Sequence, residues 1–408
     1  MNCRFCKTKL DIVFADLKQS SFANSYLNFK DLKQMEVNYP LCAYVCKNCF
    51  LVQLDEFENP SKIFTNYAYF SSYSSSWLQF VKEFSEKIIK RFSLDEKSKV
   101  IEIASNDGYL LQFFRAYKIP VLGIEPAENI AKVANQKGIL TITKFFGSQT
   151  ANELVQDQMK ADVLIAFNVL PHTPKLNDFI EGLKLLLKKE GVLIIQFSAY
   201  LLRLIQDVKF DSIYHEHFSY FSLFTLNKIF THYGLTIFDV EEFDVHGGSL
   251  RLYIKHIENN SIKTENSVAQ KINDEKDNNI DSISTYQKFQ QRIVKKKIII
   301  KKFFDDVKNE KKKIIAYGAA AKGNTFLNYC EIGLETIQYV VDISPHKQGL
   351  YMPGNHLPIY HPDKILETKP DYVVILAWNL KDEIQEQMKI IREWGGKFVV
   401  FFPEVKVF

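Results

Sequence analysis

From Lys99 onward the chain alternates strand-length apolar runs with helix-length segments, a rhythm that few architectures accept. Val100-Ile101-Glu102-Ile103, Val121-Leu122-Gly123-Ile124, Asp162-Val163-Leu164-Ile165-Ala166 and Gly191-Val192-Leu193-Ile194-Ile195 are apolar enough to be buried on both faces of a sheet. Helix candidates fall between them near residues 109–116, 128–137 and 176–188. Such alternation predicts an α/β fold with a doubly wound parallel sheet. A second series begins at Ile314-Ile315-Ala316-Tyr317-Gly318 and continues through apolar runs at 339–342, 372–376 and 398–401, which predicts a C-terminal Rossmann-like unit.

A chain of 408 residues exceeds the size of a single core, so two or three domains are expected. Residues 1–75 read as a zinc-binding domain with a lid loop, 76–255 as the first α/β domain, 256–312 as a helical linker and 313–408 as the second α/β domain. The linker holds no Gly or Pro, and Tyr286, Phe289, Ile293, Ile300, Phe304 and Val307 recur at helical spacing, which predicts one long amphipathic helix in its second half. Its lysines, Lys295 to Lys297 among them, are read as a solvated face rather than a nucleic-acid patch.

The zinc reading rests on Cys3-x-x-Cys6 and Cys46-x-x-Cys49, two knuckles that each offer two thiolates to one side of a tetrahedral metal. The spacing between the pairs exceeds the roughly 15 to 20 residues of a common ribbon, so an insertion must loop out between them. Cys42 is a competing ligand, and Cys330 reads as a core residue. No apolar run reaches a membrane span and no signal pattern opens the chain, so a cytoplasmic protein without membrane partners is expected. Lys and Arg exceed Asp and Glu by 52 − 48 = 4, too small an excess for a dedicated nucleic-acid binder.

In an open α/β sheet the ligand sits beyond the carboxyl ends of the strands, where the first turn needs small residues. Glu102-Ile103-Ala104-Ser105-Asn106-Asp107-Gly108 occupies that turn, and Glu125 ends the second strand, placed to accept hydrogen bonds from two ribose hydroxyls. NAD would use the same acid. The missing dinucleotide glycine pattern, which lets a helix N-terminus hold a pyrophosphate, favours S-adenosylmethionine (SAM), whose sulfonium needs no anion site.

Past the fourth strand, Tyr214-His215-Glu216-His217 gathers two imidazoles, a carboxylate and a phenol. Histidine titrates nearest neutrality and suits removal of a moderately acidic C–H proton. If the segment is extended, Tyr214 and Glu216 share one face and His215 and His217 the other. A second metal site and a hydrogen-bonded core segment are the competing readings. His172, just past another strand end, reaches toward the same cleft.

Together these motifs, with the serine- and aromatic-rich stretch 67–77, Asn168 to His172, His246-Gly247-Gly248-Ser249-Leu250-Arg251, residues 317–324 and Ala377-Trp378-Asn379, resemble the sugar C-methyltransferases that act on nucleotide-linked 4-keto-deoxyhexoses. The resemblance spans nearly the whole chain. It implies an N-terminal zinc module, a central SAM domain and a C-terminal Rossmann-like domain that helps hold the nucleotide sugar. It places Tyr214, Glu216 and His217 in the active site, with His217 as the base, oriented by Glu216, and His172 nearby. Asn106, Gly108, Glu125 and Asn168 are implied as SAM contacts, beside Glu102 and Ala104 of the same turn. Tyr67, Tyr69 and Ser72 are similar to residues lining the sugar site, with Lys322 and Asn324 near the phosphates or sugar. The chain departs from the family pattern at Gln196-Phe197-Ser198-Ala199-Tyr200, a position expected to face the cleft. The expectation is a SAM-dependent C-methyltransferase acting at C3, as a monomer or small homo-oligomer. An NAD-dependent nucleotide-sugar oxidoreductase, a SAM-dependent nucleic-acid methyltransferase and a non-catalytic zinc scaffold are the alternatives.

Overall fold

The computed structural model of the chain describes residues 1–58 and 70–408, so Tyr67 and Tyr69 lie outside the described residues. The chain opens on three antiparallel strands, β1 (Ile12–Ser20), β2 (Tyr39–Val45) and β3 (Val52–Leu54). The cysteine knuckles flank them. The insertion between β1 and β2 reaches across to the C-terminal domain, where Leu27 and Tyr351 exchange backbone hydrogen bonds of 3.0 and 2.9 Å. Glu36 anchors its far end, pairing with His356 at 2.9 Å.

The helix Ser75–Arg91 leads into the central sheet. Strands β4 (Val100–Ile103), β5 (Val121–Ile124), β6 (Thr141–Ile142), β7 (Ala161–Phe167) and β8 (Leu187–Ser198) run parallel. All four residues of β4 are buried, as expected of a strand covered on both faces, and this includes Glu102. The chain then leaves this sheet. After residues 210–218 it adds β9 (Ser219–Tyr220) to the edge of β3, completing a four-stranded N-terminal sheet. It returns through the helix Leu223–His232 to β10 (Leu235–Phe243) and β11 (Ser249–His256). Strand β11 inserts antiparallel between β10 and β8, giving the order β10-β11-β8-β7-β4-β5-β6. The winding direction reverses between β4 and β7, so the turns after these two strands open on one crevice.

The linker forms two helices, Asn266–Asp277 and Ile283–Asn309. Every apolar position singled out on the second helix is buried, and Phe289 stacks on Phe14 of β1 at 4.5 Å between ring centres. One lysine departs from the solvated-face expectation. Lys296 turns inward and donates to the Asp207 and Pro403 carbonyls at 2.9 and 2.5 Å, and burial lowers its pKa to about 8. It ties this helix to the loop after the helix Leu201–Gln206 and to the C-terminal segment.

The C-terminal sheet has the order β14-β13-β12-β15-β16-β17, built from β12 (Ile314–Tyr317), β13 (Val340–Val341), β14 (Ile359–Tyr360), β15 (Tyr372–Ile375), β16 (Lys397–Val400) and β17 (Lys406–Val407). Its first five strands are parallel, and it too reverses beside its first strand, between β12 and β15. Among the described residues no helix is long and apolar enough to cross a membrane.

Candidate active site

The four thiols of Cys3, Cys6, Cys46 and Cys49 lie within 4.8 Å of one another. Their Sγ contacts of 3.5 Å (Cys3 to Cys49), 3.4 Å (Cys6 to Cys46) and 3.7 Å (Cys6 to Cys49) approach the roughly 3.8 Å edge of a tetrahedron with ~2.3 Å zinc–sulfur bonds. The donor set fits zinc. Cys42 is not in the cluster; it sits on β2 opposite Asp16 of β1. Cys330 is a fully buried core residue.

In the central crevice, Glu125 grips the turn after β4. Its two carboxylate oxygens accept the backbone N–H groups of Asn106 (2.9 Å) and Ala127 (2.8 Å). Ala104, Asn106 and Gly108 all take positive φ, as does Asn168 after β7. The turn therefore keeps a glycine-type backbone although two of these three positions carry side chains. An L-residue in this region costs about 1–2 kcal/mol, a strain concentrated where the backbone must face a ligand. A Cβ on Gly108 would stand 2.5 Å from Ile139 Cδ1 at a φ of +77°, so a side chain there would be strained and would have to push the end of Ile139 aside. Asn168 Oδ1 accepts the Ser198 N–H at 3.1 Å. Burial pushes the Glu102 carboxyl well up, opposed by the Tyr109 phenol and reinforced by Glu125 and Asp107.

The Tyr214 to His217 segment is a turn, not a strand, so alternation does not sort its side chains. The His217 N–H donates to the Tyr214 carbonyl at 2.9 Å, which folds both side chains together. Tyr214 Oη lies 2.7 Å from His217 Nε2, and His217 Nδ1 lies 3.1 Å from the Ser212 carbonyl. A carbonyl can only accept, so Nδ1 carries the proton and Nε2 of the neutral ring accepts from Tyr214. Glu216 does not orient His217. It turns the other way and accepts from Asn24 Nδ2 at 2.6 Å, and burial raises its pKa to about 7. His215 serves packing: Phe22, Tyr39 and Phe57 surround it, its Nε2 meets the Pro40 carbonyl at 3.2 Å, and burial lowers its pKa to about 4.

His172, in the turn after β7, closes on this pair, with ring centres of His172 and His217 4.8 Å apart and burial lowering the His172 pKa to about 4. Burial, then His172, then Lys322 hold the His217 pKa well below its usual value. Lys322, at the start of the helix Ala321–Cys330, thus brings a C-terminal cation to the same seam. Burial lowers its own pKa to about 8, with Asp211 opposing. Its ammonium lies 4.9 Å from the centre of the Trp378 ring, whose indole N–H donates to Asp211 Oδ2 at 2.6 Å. Asn324, two residues further along, is fully buried, and neither of its amide atoms has a hydrogen-bond partner. Ser72 Oγ accepts from Lys137, which also bonds Asp107 of the turn after β4.

Gln196 does not face the cleft. It accepts both Nε and Nη2 of Arg251 (2.9 and 2.7 Å), and the guanidinium is boxed by Phe80, Phe84, Phe167 and Phe243. The sequence reading missed Asn24, Tyr26, Asp211 and Asp342. Tyr26, on the β1–β2 insertion, donates to the Ala319 carbonyl at 2.5 Å. Asp342, at the end of β13, accepts from Ala319 N–H and Ser344 N–H, both at 2.8 Å, the pattern by which Glu125 holds its own turn. An acid ending the second strand of the C-terminal unit was the available signal for Asp342; for Asn24 and Tyr26 only the tertiary contact reveals it.

Family models match the chain in three consecutive parts: a zinc binding domain over residues 3–64, a methyltransferase domain over 76–240 and a C-methyltransferase C-terminal domain over 244–403. The chain is 32% identical to the C-methyltransferase NovU of Streptomyces niveus over 407 residues, covering 99% of this chain and 96% of that protein. Among solved structures it is similar to the PH0226 protein of Pyrococcus horikoshii OT3 (15% identity, TM-score 0.38, 49% of this chain and 99% of that one). It is also similar to the magnesium protoporphyrin IX methyltransferase of Synechocystis PCC 6803 with bound SAH (20% identity, TM-score 0.35, 43% and 82%). Likenesses this distant carry no weight beside the full-length relative. With zinc held by the four cysteines and SAM in the central domain, the chain belongs to the SAM-dependent C-methyltransferases.

Proposed function

We propose that the substrate is a nucleotide-linked 4-keto-deoxysugar and that the methyl group is added at C3. The observation that carries this reading is His217: buried, neutral, with Nδ1–H held by a backbone carbonyl and Nε2 presented to a phenol, between the SAM crevice and the C-terminal domain. A ketone acidifies the neighbouring C–H enough for an imidazole to remove it. Substrate entry displaces the Tyr214 hydroxyl from Nε2. His217 Nε2 then takes the C3 proton, and the imidazolium keeps its Nδ1–H on Ser212. The freed Tyr214 hydroxyl donates to the C4 oxygen as it becomes an enolate, and Lys322 places a positive charge beside it. Bound SAM supplies the methyl group that the C3 carbanion captures.

His217 is a weak base in the empty site chiefly because burial disfavours its cation, with His172 and then Lys322 adding to the effect. The anionic diphosphate of a nucleotide sugar offsets Lys322 and raises His217 toward its working range, so proton abstraction follows substrate binding. The crevice of the C-terminal sheet suits the nucleoside, with Asp342 ready for ribose hydroxyls and Tyr26 over the turn.

Mass spectrometry of a panel of nucleotide-linked 4-keto-deoxysugars incubated with the enzyme and SAM tests the proposal. A gain of one methylene mass on a keto sugar, absent from its 4-hydroxy counterpart, is expected. Equal gain on both, or none on any keto sugar, contradicts it.

A further inference from the structure

His217 is held on its near side by its own loop, through Ser212 and Tyr214. What fixes that loop is the strand immediately after it, which belongs to the zinc module. Phe218, the next residue, has its carbonyl claimed twice: by the Leu54 N–H of β3 at 3.0 Å and by Arg4 Nη1 at 3.0 Å. Arg4 stands between the ligands Cys3 and Cys6, and its guanidinium also lies 5.5 Å from the centre of the Phe218 ring. Its own N–H donates to Gln53 Oε1 at 2.8 Å. Gln53 is fully buried; its Nε2 lies 3.3 Å from Cys3 Sγ, and on β3 it pairs with Ser219 of β9. A third tie runs from the other knuckle, where Thr225 Oγ1 donates to the Cys49 carbonyl at 3.0 Å.

We propose that Arg4 and Gln53 are positioning residues that transmit the geometry of the zinc knuckles to the catalytic histidine, so that the metal sets where His217 stands as well as holding the N-terminal module together. The inference rests on His217 being the base. Two contacts carry it. Arg4 converts the Cys3 to Cys6 knuckle into a clamp on the residue after His217, and Gln53 joins a ligand thiolate to the strand two residues after it. With the thiolates gathered on zinc, Cys3 is fixed, Gln53 is fixed through its N–H to sulfur, and β9 is held in register. Without them the 214–220 segment loses its ties to the knuckles and keeps its internal turn, the His215 cage and the Glu216 to Asn24 bond. A displacement of the order of 1 Å in a catalytic group costs about 10²-fold in rate, so a small release is enough to stop chemistry while the SAM crevice, built on β4, β5 and β7, stays intact.

The test compares zinc-loaded wild type with Arg4→Ala, Arg4→Lys and Gln53→Met. Four quantities are read: zinc content, SAM affinity by calorimetry, kcat against KM, and amide hydrogen exchange of peptides covering 214–220 and 100–103. Arg4→Ala and Gln53→Met are expected to keep zinc and SAM affinity, to lose roughly tenfold or more in kcat with KM little changed, and to exchange faster at 214–220 alone. Arg4→Lys should recover part of the kcat, since one ammonium can reach the Phe218 carbonyl. Chelating zinc from the wild type should loosen 214–220 before 100–103, a readout that needs no turnover. Unchanged exchange at 214–220 with kcat within twofold overturns the proposal, and so does loss of zinc or uniform loosening of both segments. Retained activity in His217→Asn instead removes the base assignment, and the exchange result stands apart from it.

Discussion

Replacing Glu125 with Gln probes the cofactor crevice at its most constrained point. The carboxylate is 6% exposed and accepts two backbone N–H groups, one on each oxygen. Gln offers one acceptor, so its amide nitrogen must face either Asn106 N–H or Ala127 N–H, donor against donor. Losing one charge-assisted bond costs about 1.5–3 kcal/mol, and the strained turn at Asn106 loses its clamp. On the reading that the same carboxylate receives two ribose hydroxyls of SAM, Gln can accept only one well. At ~1.4 kcal/mol per decade, the lost ribose bond weakens SAM about 10- to 100-fold. Calorimetric titration of SAM into the variant, with a denaturant melt of the unliganded protein, measures both effects. SAM affinity within twofold of wild type would show that Glu125 is not the ribose acceptor.

Three further outcomes follow from particular contacts. His215, with a pKa near 4 in its aromatic cage, binds fewer protons folded than unfolded between about pH 4 and 6.5. Its contribution is therefore complete above pH 6.5 and is lost on acidification toward 4, about 3 kcal/mol at most. Relative to wild type, His215→Phe should flatten the acid side of the stability profile measured by denaturant melts between those limits; parallel profiles would refute the cage reading. Gly247→Ala would bring a Cβ to 2.2 Å from the Trp378 ring at a φ of +84°, so denaturant melts should report a loss of about 2–4 kcal/mol from strain and overpacking combined. Gln196→Glu should leave kcat and KM within twofold, because its side chain meets Arg251 inside the sheet; a change in sugar preference measured across the keto-sugar panel would contradict this placement.

Periodicity and spacing carried the layout well. β4 and β5 fall on the residues their apolar runs mark, and the buried face of the long helix contains each position its spacing selects. Glu125 could be found because a fixed chain length separates the first turn from the end of the second strand. The active-site seam was only partly legible. His172 and His217 do come within ring contact, yet alternation along 214–217 misled, because that segment is a turn closed by its own i to i+3 bond. Whether such a run is extended depends on pairing with β3, more than 160 residues earlier in the chain, and no local pattern reports that. The inward turn of Lys296 and the burial of Gln196 are similar cases: both side chains end on partners supplied by distant loops or strands. Tyr26 and Asn24 sit in an insertion without periodicity, and only folding carries them to the C-terminal crevice and to Glu216.

The central claim is that His217 removes a proton from the carbon that becomes methylated. It is tested most directly by incubating wild-type enzyme in deuterium oxide with a nucleotide-linked 4-keto-deoxysugar and S-adenosylhomocysteine, which cannot donate a methyl group, and following the C3 proton by NMR. Wild type should wash deuterium into C3, and His217→Asn should slow that exchange by about 10²- to 10⁴-fold while binding SAM with unchanged affinity. Exchange at an undiminished rate in His217→Asn would contradict the account.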